Sequence, residues 1–123
     1  MSATIKMSDK EKAFFVYILE CENGNYYTGY TIDIVKRFNV HKAGAGRGAK
    51  FTKSFKPSKI AAAWRVSGGK GAAMKLEYFI KKHERCIKKK FISDPACLKY
   101  EFFKKHEARE GLDIFPLDPP AIA

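Results

Sequence analysis

Apolar and polar positions divide the chain into short elements. Residues 1–12 are polar and read as a flexible leader. Phe14-Phe15-Val16-Tyr17-Ile18-Leu19 is a continuous β-branched and aromatic run, the pattern of a buried strand. Asn23-Gly24 predicts a type I′ hairpin turn, because both central residues of that turn need positive φ. A returning strand then spans Asn25 to Tyr30, with Tyr26, Thr28 and Tyr30 on one face and Tyr27 and Gly29 on the other. Asp33 suits the N-cap of a helix over residues 34–41, in which Ile34, Val35 and Phe38 form an apolar stripe. Lys59 to Val66, centred on Trp64, predicts a third strand, and Ser67-Gly68-Gly69 breaks it. A second helix is expected from about Gly71 to Arg85, its inner stripe reading Ala73, Leu76, Glu77 and Ile80. Asp94-Pro95 opens a last helix that Gly111 ends, and Phe102 and Phe103 are its expected docking anchors. The tail from Phe115 to Pro120 reads as extended or disordered.

Composition narrows the class. With 123 residues and 46% hydrophobic content, the chain suits a single globular fold. Its expected parts are the leader (1–12), a main domain (13–92), and a C-terminal helix with tail (93–123). Cys21, Cys86 and Cys97 are too few for a disulfide framework. Reduced, buried thiols in an intracellular compartment, cytoplasmic or nuclear according to the host, are the expectation. No apolar run approaches the ~20 residues of a membrane span, so no membrane partner is expected.

Charge changes the picture more. The net charge is +11, and from Ile34 to Lys75 there is no acidic residue among eleven basic ones. The rest of the chain is balanced, so one segment carries the whole excess. That concentration points to a polyanion, namely nucleic acid. Lys36 and Lys42 on the first helix, with Arg47, Lys50 and Lys53 in and after the glycine-rich stretch 43–50, are the candidate phosphate contacts. The glycine-rich stretch lacks the Gly-Lys-Ser/Thr ending of a nucleotide-binding loop.

Candidate chemistry starts from Glu77, a carboxylate on the inner stripe of a helix. Such a group needs either a cationic side chain or a divalent cation bound through oxygen and water. Tyr17 and Tyr27 stand on strands that pair, and Arg37 and His41 project from one side of the next helix. A tyrosine becomes a base when nearby cations favour its phenolate, and an arginine fork suits a phosphoryl group. His83, Cys86, Cys97 and His106 match no zinc-finger spacing.

The ordered set Tyr17, Tyr27, Arg37, His41 and Glu77 resembles the site of the GIY-YIG endonuclease family. Phe15-Val16-Tyr17 and Tyr27-Thr28-Gly29 look like its two sequence marks. Arg37, His41 and Glu77 fall where that family carries its helical arginine, a residue one turn later, and its metal-binding glutamate. The likeness covers roughly residues 13–92 and is greatest to stand-alone bacterial-type members and to structure-specific subunits that cut branched DNA. It implies an α+β fold: a three-stranded antiparallel sheet flanked by helices, here with an additional C-terminal helix. It also implies Mg²⁺- or Mn²⁺-dependent hydrolysis of DNA, leaving 5′-phosphate and 3′-hydroxyl ends, in repair or recombination. In that scheme Tyr17 or Tyr27 takes the proton of the attacking water and Arg37 holds the phosphate. His41 assists, and Glu77 carries the metal. Three features depart from the pattern: Phe15, Thr28, and Lys88-Lys89-Lys90 where many members carry a polar residue, often asparagine. Branched or flap DNA, with RNA as the alternative, is the expected partner, and a protein partner would supply specificity. The competing reading is a non-catalytic DNA- or RNA-binding module using the same basic face.

Overall fold

A computed structural model describes residues 13–43, 56–107 and 111–117. β1 (Phe14–Cys21) and β2 (Tyr26–Thr31) form a hairpin, followed by α1 (Ile34–Lys42) and β3 (Pro57–Ser67). α2 (Gly69–Lys81), α3 (Arg85–Ser93) and α4 (Ala96–Lys105) come next, and β4 (Asp113–Pro116) closes the described chain. The strands make one antiparallel sheet in the order β2-β1-β3-β4. Among the described residues no helix is long and apolar enough to cross a membrane.

β1 lies between β2 and β3 and is covered on both faces, which explains its unbroken apolar sequence. Val16 and Ile18 point into the larger core with Trp64, Leu76, Ile80, Phe91 and Phe102. Tyr17 and Leu19 point the other way, into a small cluster that Ile34 and Phe38 of α1 cover. The Asp33 carboxylate accepts from the Lys36 amide at 3.1 Å, the cap expected for α1. The Trp64 indole N–H donates to the Pro95 carbonyl at 2.8 Å, fixing the start of α4 against β3. Phe102 is buried and Phe103 partly buried, as their docking role requires.

Several expectations are corrected. The hairpin turn is not type I′: Gly24 has φ 81°, but no described non-glycine residue has positive φ. The Gly24 amide instead donates to the Cys21 carbonyl at 2.8 Å, and the Cys21 amide to the Asn25 carbonyl at 2.8 Å. This is a longer loop, with glycine supplying its one left-handed residue. The helix expected to run to Arg85 stops at Lys81, and a separate α3 follows. His83 Nδ1 lies 2.6 Å from the Phe79 carbonyl, so the side chain takes an acceptor near the helix end. Glu84 is extended (φ −68°, ψ 162°) and redirects the chain, so that Phe91 turns back onto Phe79. Cys86 is exposed and Cys97 half-buried, although both were expected to be buried; Cys21 is the buried thiol.

The largest correction is the sheet, which has four strands rather than three. The added strand is β4, which takes in the first two residues of the tail expected from Phe115; its Ile114 pairs with Val66 and joins the main core. Ile114→Ala should therefore cost about 2–4 kcal/mol in urea denaturation. Phe115→Ala, at a side chain 41% exposed, should cost under about 1 kcal/mol. Equal small losses would mean that β4 does not hold the core.

Candidate active site

The register of the hairpin builds the site. Tyr17 of β1 stands opposite Gly29 on one side and Ala63 on the other. A Cβ on Gly29 would come 2.5 Å from the Tyr17 hydroxyl oxygen, so only glycine lets the phenol lie across β2. Tyr27 sits on the same face, its ring centroid 6.5 Å from that of Tyr17. α1 then brings His41 beneath both, 4.7 Å from the Tyr27 ring. The Tyr17 hydroxyl lies 3.0 Å from His41 Nε2, in a buried contact between two chain segments.

Electrostatics decide which way that hydrogen bond runs. His41 is fully buried, and desolvation, then the Arg37 charge, lowers its pKa from 6.5 to about 4. It is neutral at physiological pH, and Tyr17 O–H donates to its Nε2. Arg37 also hydrogen-bonds the Tyr17 hydroxyl, which favours phenolate. Burial nevertheless outweighs it, and the Tyr17 pKa is pushed up to about 12. The expectation that nearby cations pull this tyrosine down is thus overturned. The phenol is buried, and one arginine does not offset that loss of hydration.

Glu77 comes from α2, close enough for its charge to add to the rise at Tyr17. Its side chain is 13% exposed, and Oε1 accepts from Lys81 Nζ at 3.3 Å. Of the two resolutions expected for an inward carboxylate, the structure shows the cationic partner, Lys81. Among the described residues no three His, Cys, Asp or Glu side chains converge. One hard carboxylate oxygen fits a cation such as Mg²⁺, which keeps several waters and takes further oxygens from a phosphate. Lys36 and Lys42 are exposed on α1, and Lys42 lies over the Phe38 ring at 5.5 Å. Arg47, Lys50 and Lys53 fall outside the described residues.

The five expected site residues thus divide into Tyr17, Tyr27, Arg37 and His41 in one cluster and Glu77 at its electrostatic margin. Two further residues touch this set. Gly29 could have been found by carrying the hairpin register from Tyr17, and Lys81 by its four-residue spacing from Glu77.

Tyr17, Tyr27, Arg37 and His41 thus lie together on one face of the sheet, with Glu77 on the next helix. The family model for the GIY-YIG catalytic domain matches residues 13–91, and this chain belongs to that family, whose members are endonucleases acting on nucleic acid. It is similar to the UPF0213 protein BH0048 of Halalkalibacterium halodurans, 40% identical over 79 residues, covering 64% of this chain and 81% of that one. A UPF0213 protein of Streptococcus pneumoniae is 38% identical over 80 residues (65% and 78%). One of Bacillus licheniformis is 35% identical over 102 residues (83% and 90%). The solution NMR structure of UPF0213 protein BH0048 from Bacillus halodurans matches with a TM-score of 0.40 and 33% identity, over 79% of this chain and 99% of that chain.

Two measurements check the site's physics. Because the pKa of His41 is lowered, the unfolded chain takes up a proton there before the folded one does. The stability that neutral His41 contributes is complete above pH 6.5 and is lost as pH falls toward 4, by roughly 3 kcal/mol in all. Urea midpoints should drop more steeply over that window for the wild type than for His41→Gln; parallel slopes would contradict the assignment. Gly29→Ala should displace the Tyr17 hydroxyl and cost about 1–3 kcal/mol. Its signature is a tyrosine ultraviolet titration in which the last step, expected at about 12 in the wild type, moves toward 10.

Proposed function

We propose that this protein is a divalent-metal-dependent endonuclease that hydrolyses DNA phosphodiester bonds, selects its substrate by shape, and serves repair or recombination. One observation carries the reading: Tyr17, Arg37 and His41 form a single hydrogen-bonded cluster with the Glu77 carboxylate in electrostatic reach. In this reading Arg37 turns its fork to the non-bridging oxygens of the scissile phosphate. Water attacks phosphorus, the bond to the 3′ oxygen breaks, and the products are a 5′-phosphate and a 3′-hydroxyl.

The proton of the attacking water goes to the Tyr17 oxygen. With a pKa of about 12, Tyr17 is ionised in only about one molecule in 10⁵ at neutral pH, so it acts as a relay rather than as a standing phenolate. As it accepts the water's proton it passes its own to His41 Nε2, the acceptor already placed 3.0 Å away. In the free protein the Arg37 charge weakens His41 as a base. A phosphate bound to Arg37 offsets that charge and makes the imidazole a better acceptor where the reaction needs one. Tyr27, packed on His41, limits how the ring can turn. Glu77 is the residue that would hold Mg²⁺ or Mn²⁺, whose positive charge would stabilise the departing 3′ oxygen until it takes a proton from solvent.

The Lys81–Glu77 ion pair favours a second reading, a DNA- or RNA-binding module in which the glutamate is structural. Labelled duplex, flap, fork and four-way junction DNAs, incubated with Mg²⁺, Mn²⁺ or EDTA, separate the two. Cleavage should require metal, fall by about 10²–10⁴ in Tyr17→Phe and in Glu77→Ala, and leave DNA binding intact. Binding without cutting in either metal would overturn the nuclease reading in favour of the module.

A further inference from the structure

A second concentration of charge lies apart from the segment between Ile34 and Lys75. Lys81, Lys82, Arg85, Lys88, Lys89 and Lys90 fall within ten residues that contain one acid, Glu84. The break between α2 and α3 folds this stretch into a corner. Lys88 of α3 lies near enough to Lys81 of α2 to feel its charge, and Lys81 in turn touches Glu77. Arg85, one turn before Lys88, rests its guanidinium over the Tyr26 ring of β2 at 4.9 Å. A Cβ on Gly24 would lie 3.6 Å from the same guanidinium, so Arg85 reaches the hairpin loop. A lane of cations therefore runs from Glu77 along the corner to the open edge of the sheet at β2.

We propose that this α2–α3 corner, through Lys81, Arg85 and Lys88, is a second phosphate track that holds the nucleic acid flanking the bond at Glu77. The proposal rests on the nuclease reading for its direction, but not for its existence. Like charges gathered on a folded surface repel one another, and a polyanion lining up along them removes that cost. Arg85 is already held in place by the Tyr26 ring, so it loses little freedom on meeting a phosphate. An acidic membrane surface is the poorer occupant. Helices that lie on membranes expose an apolar stripe, whereas Phe91 and Ile92 of α3 face the core and Ile87 alone reaches the surface. Lys88, one of the three lysines that depart from the family pattern, thus acquires a role: it extends the phosphate-binding surface beyond the basic segment on the α1 side.

The test is metal-free binding of the full chain to a labelled 20-base-pair duplex, across a salt series, by fluorescence anisotropy. Arg85→Gln with Lys88→Gln should lower the slope of log affinity against log salt by about 2, and affinity at 100 mM salt by roughly 10- to 100-fold. A control of equal charge, Lys99→Gln with Lys104→Gln on α4, removes two cations near the opposite edge of the sheet, where Lys99 bonds Asp113. It should leave the slope unchanged. Equal slope losses in both pairs, or none in the corner pair, would overturn the track. So would corner substitutions that abolish sedimentation with phosphatidylserine vesicles while sparing the DNA slope. Cutting by the wild type is scored separately, so a chain that never cleaves can still show the track, and a chain that cleaves can still lack it.

Discussion

A strand covered on both faces can carry a polar side chain only if a partner is buried with it. β1 meets that constraint at Tyr17, and much of the small face of the sheet follows from it. The phenol needs room, which Gly29 and Ala63 provide by having almost no side chain at the two cross-strand positions. The hydroxyl needs an acceptor, which α1 delivers by placing His41 in its last turn. The helix position itself is set by the Asp33 cap at one end and by Ile34 and Phe38 lying against the sheet. Remove the burial of β1 and none of these placements has a physical cause.

Competing electrostatic effects at the cluster have a clear order. Desolvation is the largest influence on both Tyr17 and His41, and in each case it favours the neutral form. Arg37 acts in the direction expected of a cation, favouring phenolate and disfavouring imidazolium, but it is second in size at both. The resting site is therefore a neutral donor–acceptor pair with one fixed positive charge beside it. Glu77 stands differently, at the rim and already matched by Lys81.

The sequence revealed elements wherever one local signal dominated. β1, β2, α1 and β3 are specified by continuous apolar content, a glycine-containing turn, an aspartate cap and a Trp-centred run, each within a few residues. The same-face placement of Tyr17 and Tyr27 follows from strand alternation, and that of Arg37 and His41 from helical spacing. What stayed hidden depends on contacts distant in sequence. β4 has four residues and no pattern of its own; it is a strand because Val66 and the core offer Ile114 a place. The end of α2 is set by His83 turning onto a backbone carbonyl, which periodicity does not register. The direction of the Tyr17 shift was misread for the same reason, since neighbouring charges are visible in sequence and depth of burial is not.

The strand order also has a consequence for how the chain is made. β3 is complete when Ser67 leaves the ribosome, but the strand that covers the Trp64–Ser67 end of its outer edge is not synthesised until Pro116. At roughly 5–20 residues per second, a row of unpaired amides and carbonyls stands open for several seconds. Nascent chains crowded on one message could pair through that edge before β4 arrives. The alanines of β3 make a poor adhesive for such encounters, and Lys59 and Arg65 along the same strand add repulsion between copies.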